Sequence, residues 1–116
     1  MQMPSTFNAL IEQASSLNLY AKLISQLNKD FQLANIDLQF YLDVLPSSLK
    51  LILQDTVFQL LQERFTIYLN LLYIIDVAES DIKALQSNDT IKLAEDVSFL
   101  ILKREWQKVW FRYHYI

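Results

Sequence analysis

The sequence predicts an all-α fold: one domain spanning residues 1–116, a helical bundle of about four main helices with an extra short helix near residues 37–45. Three observations carry that expectation. The chain has no glycine, where average usage would supply about eight. Only two of its 116 residues are proline, and 21 are leucine. Apolar residues recur at intervals of three and four along most of the chain, the period of a helix face. The same composition excludes functions. Without glycine there is no dinucleotide fingerprint, phosphate-cradling loop or nucleophile elbow. Without cysteine there is no disulfide framework and no zinc–cysteine site. A chain of this length buries roughly 65% of the surface its unfolded form exposes, enough to fold without a staple.

The first helix is expected over about residues 5–33, capped by Ser5 or Thr6. Its apolar positions are Phe7, Leu10, Ile11, Ala14, Leu17, Ala21, Ile24 and Phe31, with Asn8, Glu12, Ser15, Lys22, Gln26 and Lys29 opposite. Helix propensity is poor at Ser15–Asn18, which marks a candidate break. Residues 35–46 alternate like a strand at Ile36, Leu38 and Phe40, but one isolated strand leaves its backbone groups unpaired. The favoured alternative is a short helix capped by Asp37 that buries Leu38, Tyr41, Leu42 and Leu45 and stops at Pro46.

The next helix is expected over about residues 47–75, capped by Ser47 or Ser48. Leu49, Leu53, Val57, Leu60, Ile67, Leu71 and Ile74 line one face, and Phe58, Leu61, Phe65, Leu72 and Ile75 a second. A helix apolar on most of its circumference belongs in a bundle centre or at a subunit interface. Asp76-Val77-Ala78-Glu79 has the form of a capping box and predicts a short helix through about Gln86. Ser87–Thr90 reads as a turn, with Asp89 or Thr90 capping a last helix from about Thr90 to Arg112. That helix is expected to bury Ile91, Leu93, Ala94, Val97, Leu100 and Ile101 and to expose Lys92, Glu95, Asp96, Lys103 and Glu105.

Net charge is -3 but unevenly spread: residues 1–102 carry -6 and residues 103–116 carry +3. The basic end holds the most distinctive cluster in the chain. Trp106, Trp110, Phe111, Tyr113 and Tyr115 alternate with Lys103, Arg104, Lys108 and Arg112. Such a mixture forms a candidate contact surface, because Trp, Tyr and Arg anchor interfaces. Two other readings stand beside it: packing of Trp106, Val109 and Trp110 on the bundle, and stacking on unpaired bases. Nucleic acid is the disfavoured partner, given the overall acidity.

No catalytic, metal-binding or cofactor-binding residues are assigned. The only histidine, His114, lacks the paired Glu-x-x-His motifs of a di-iron bundle. Ser47-x-x-Lys50 matches an acyl-enzyme spacing without its companion motifs. Asn88-Asp89-Thr90 matches a glycosylation acceptor but reads as turn and cap. The longest uncharged runs span 11 residues, as in Phe65–Ile75, against about 20 for a membrane span. With no signal-like start, a cytoplasmic location is expected.

Residues 70–79 (NLLYIIDVAE) and 101–109 (ILKREWQKV) resemble a group of small all-helical bacterial proteins of uncharacterised function. The resemblance covers the C-terminal half and implies no activity, ligand or catalytic residue. The expected function is a non-enzymatic interaction or structural module, a homodimer or a binder of another protein. A carrier of small apolar ligands or lipid is the alternative.

Overall fold

The structure, a computed structural model, describes residues 2–85 and 87–114. Among them there are six helices and no strand: α1 (Phe7–Ser16), α2 (Tyr20–Leu33), α3 (Pro46–Glu63), α4 (Phe65–Ile75), α5 (Glu79–Lys83) and α6 (Thr90–His114). The all-α bundle is as expected; about four main helices is not. Both long N-terminal segments break, and each break has a physical reason.

The expected 5–33 helix breaks at Asn18, which takes a left-handed φ of 57°. The Asn18 amide donates to the Ser15 carbonyl at 3.1 Å, and the Leu19 amide reaches back to Ala14 at 2.8 Å. This pair of bonds closes a helix C-terminus in the way a glycine usually permits. The device recurs twice. Asn35 (φ 59°) ends α2, with its amide on Gln32 and the next amide on Phe31; Asp76 (φ 69°) ends α4, with bonds to Tyr73 and Leu72. In a chain without glycine, Asn and Asp are the residues that tolerate this conformation best.

The 47–75 segment breaks at Arg64, which leaves helical geometry at φ -141°, ψ 57°. The buried stripe Leu49, Leu53, Val57, Leu60 projects onto position 64 at its next step. A continuous helix would drive the Arg64 charge into the core. The break places Arg64 in solvent and re-aims α4 so that Tyr68, Leu71, Leu72 and Ile75 are buried.

Residues 37–45 form no helix. Ile36 and Phe40 are buried from a segment that is neither helix nor strand, while Tyr41, Leu42 and Leu45 are exposed rather than covered. The side-chain amide of Asn28 does the work of a neighbouring strand: it donates to the Phe40 carbonyl at 2.9 Å and accepts from the Phe40 amide at 2.8 Å. Pro46 does not stop a preceding helix but opens α3, where its missing N–H costs nothing, and Ser47 and Ser48 do not cap it.

The Asp76–Glu79 capping box is also overturned. Asp76 terminates α4, and α5 begins at Glu79 behind Ala78 with no side-chain cap. The expected end near Gln86 lies outside the described residues. Two caps are as read: Thr6 Oγ1 accepts from the Ala9 amide at 3.1 Å, and Asp89 Oδ1 from the Ile91 amide at 2.9 Å.

The core gathers around α6, which packs most extensively on α3 and also touches α1, α2 and α4. Its buried residues include Ala94, Val97, Ile101, Leu102, Trp106 and Val109. The expected exposed set is corrected at two positions: Glu105 and Gln26 are both buried.

Candidate functional site

The basic aromatic end of α6 divides into an interior and an exterior part. Trp106 is fully buried, and its indole Nε1 donates to Gln13 Oε1 at 2.8 Å. It is a core residue that ties α6 to α1. Arg104 reaches Asp76, donating to its carbonyl at 3.0 Å and its carboxylate at 3.1 Å, and to Gln107 at 2.9 Å. Arg112 donates to Gln26 Oε1 at 2.9 Å. Lys103 and Trp110 are half-buried; Phe111 and Tyr113 are exposed. Trp110 stacks on the His114 ring at 4.2 Å, Phe111 meets it edge-on, and Lys22 Nζ lies 5.6 Å from the Tyr113 ring centre. Tyr115 lies outside the described residues.

Lys108 leads to the feature the sequence concealed. Its Nζ donates to Asp30 Oδ2 at 2.6 Å and sits 2.9 Å from Glu105 Oε1, there outside hydrogen-bond geometry. Asp30 and Glu105 are both buried, and Gln26 Nε2 donates to both Asp30 oxygens at 3.2 Å. Two carboxyl groups thus share one ammonium in the seam between α2 and α6. Burial pushes the Glu105 carboxyl up to about 9, and the adjacent Asp30 adds to the rise while Lys108 opposes it. Burial also acts to raise Asp30, but hydrogen bonds with Glu105, Lys108 and Gln26 outweigh it and hold that carboxyl below its ordinary value. The two groups are pushed apart as in any close carboxyl pair: one holds the charge and the other the proton.

This seam had a signal in the sequence. Val97, Ile101, Glu105 and Val109 fall at four-residue spacing, so Glu105 interrupts an apolar stripe. Asp30 likewise lies three residues beyond Leu27, on the face of α2 that carries Leu23 and Leu27 inward. A charged residue on a buried stripe needs a partner, and each supplies it for the other.

A second site lies on α4. This helix carries no charged residue, yet Phe65, Leu69 and Tyr73 are exposed to 53%, 51% and 83%. Their four-residue spacing sets them in one ridge, with Thr66 and Asn70 also exposed.

Grooves elsewhere are open to solvent. One of about 270 Å³ runs between α3 and the start of α6, lined by Leu51, Phe58, Ile91 and Ala94 with Asp55 and Glu95 at its edge. Among the described residues no three His, Asp or Glu side chains converge as a metal site, and no helix is long and apolar enough to cross a membrane.

The fold and its two sites define an all-α bundle with an ionised seam inside and an uncharged ridge outside. Comparison with protein-family models, curated proteins and solved structures finds no match for this chain.

Proposed function

We propose that the protein is a non-enzymatic, self-associating module whose copies meet through the outer ridge of α4. The observation that carries this reading is the combination on one helix of exposed Phe65, Leu69 and Tyr73 with a complete lack of charge. Charged residues are depleted, and aromatic ones enriched, at the centres of interfaces. A second copy is the occupant that this chemistry favours. A two-fold contact sets each patch against itself, and an uncharged ridge does so with no like-charge repulsion. Ridges of four-residue spacing interdigitate when two helices cross.

The basic end of α6 supports a nucleic-acid role less than its composition implies. Arg104 is paired with Asp76 and Lys108 with Asp30 and Glu105, so these cations are already neutralised within the chain.

Size-exclusion chromatography with light scattering tests the proposal. At tens of micromolar the 13.7 kDa chain is expected to run at twice its mass, and Leu69→Lys to run as a folded monomer. A wild-type monomer at that concentration overturns it.

A further inference from the structure

Lys108 alone serves two buried carboxyl groups, and Arg112, the next cation along α6, is spent on the neutral Gln26. If Asp30 and Glu105 were both ionised, the seam would hold an uncompensated negative charge away from water, and both Glu105 oxygens would lack an aligned donor. A protonated Glu105 instead donates to Asp30, satisfying one carboxyl with the other. The charged groups acting on Glu105 are Asp30 from α2 and Lys108 from its own helix; α1, α3 and α4, which also pack on α6, place none among them.

We propose that the Asp30–Glu105–Lys108 cluster is a proton-linked fastener, in which the C-terminal half of α6 docks on α2 with one proton held between the two carboxyl groups and opens by releasing that proton to water. The inference is independent of how copies of the chain associate. In the open seam Glu105 is an ordinary solvated carboxyl, ionised above pH 4.5, whereas in the closed seam it keeps its proton up to about pH 9. Between those limits opening releases one proton, so the opening equilibrium grows about tenfold per pH unit. Trp106, Lys108 and Arg112 all lie on the segment that would part, so their bonds to Gln13, Asp30 and Gln26 break in the same step.

Two measurements on the full chain test this. Carboxyl 13C NMR follows the five glutamates, Glu12, Glu63, Glu79, Glu95 and Glu105. The Glu105 signal, identified as the one that vanishes in Glu105→Gln, is expected to show its proton held until near pH 9. Amide hydrogen exchange, corrected for its intrinsic pH dependence, follows residues 105–112. Wild-type protection is expected to fall about a hundredfold between pH 6 and pH 8, and protection in Glu105→Gln to stay level. A Glu105 carboxyl that loses its proton in the ordinary acid range overturns the proposal, as does equal pH dependence in the two proteins. If Glu105→Gln fails to fold, the wild-type titration decides alone.

Discussion

Where α2 meets α6, Asp30 and Glu105 are held out of water beside the half-buried Lys108; on the outside of α4, Phe65, Leu69 and Tyr73 are held in it. The two regions invert the ordinary arrangement of charge outside and apolar surface inside, and they do so for different reasons. The seam is closed within one chain: its groups are paired across two helices and a single proton balances the account. Among the described residues nothing covers the ridge. Hydrophobic burial is roughly proportional to area and indifferent to direction, so a bare ridge lowers its free energy by meeting any complementary apolar surface. A buried charge pair is tied to particular partners at particular distances. The seam therefore fixes how this chain folds on itself, and the ridge directs it outward.

The largest expected effect comes from breaking the seam. Lys108→Met leaves Asp30 and Glu105 without their cation, and removal of one partner from a buried ion pair costs about 3–5 kcal/mol. Urea unfolding at pH 7 checks it. A loss under about 1 kcal/mol would mean that the ammonium contributes no more than a surface charge. The next effect has the opposite sign. The folded pKa of Glu105 lies above its unfolded value, so its contribution to stability is full below pH about 4.5 and is lost as pH rises toward about 9. The slope is on the order of 1 kcal/mol per pH unit. Asp30 is shifted the other way, so its contribution is present above its ordinary carboxylate range and is lost as pH falls through the lowered value. Thermal melts should therefore show greatest stability near pH 5 and a decline into the alkaline range. Glu105→Gln, which resembles the protonated acid in shape and donor, should flatten that decline and melt higher than wild type at pH 8.

Smaller effects on folding are expected at the ridge. Leu69→Lys removes little that is packed within the chain, and exposed substitutions of this kind stay within about 0.5 kcal/mol. Its effect should appear in the mass measured by light scattering while the melting curve stays in place. A matched pair of results sharpens the contrast: Lys108→Met changes folding and Leu69→Lys changes association. If Leu69→Lys instead lowers the melting temperature as much as Lys108→Met does, the ridge belongs to the core of the monomer.

The helices themselves were legible in the sequence because their apolar spacing is strong. The stripes through Leu49, Leu53, Val57 and Leu60, and through Val97 and Ile101, are buried as the period requires. The breaks were less legible, because they depend on what the continuation would bury. Arg64 is unremarkable until the stripe before it is extended by one step. Asp76 reads as the start of a helix because Asp caps helices often; the left-handed turn it makes instead is a choice between two local conformations settled by packing beyond it. Residues 35–46 misled for a related reason. A strand-like alternation was present, but its hydrogen-bonding neighbour is one Asn28 side chain, which no strand pattern announces. The C-terminal residues show the limit most plainly. The sequence offers Lys108 and Arg104 as contact-surface cations because Asp30 and Asp76, their partners, lie 78 and 28 positions away. Among these C-terminal residues Glu105 carries the visible warning, a carboxylate placed in step with valine and isoleucine, as Asp30 does on the inward face of α2.

The left-handed residues Asn18, Asn35 and Asp76 bear on the chain before it folds. Each stores on the order of 1 kcal/mol of backbone strain that a glycine would relieve. Glycine would also widen the conformational freedom of the disordered chain, and that freedom is surrendered on folding at roughly 0.5–1 kcal/mol per residue relative to alanine. A polypeptide with no glycine at any of its 116 positions starts from a narrower denatured ensemble everywhere and accepts strain at three helix ends. The three turns are thus the local counterpart of a global restriction on the unfolded state, and the bundle's stability is set partly by a molecule that has no bundle in it.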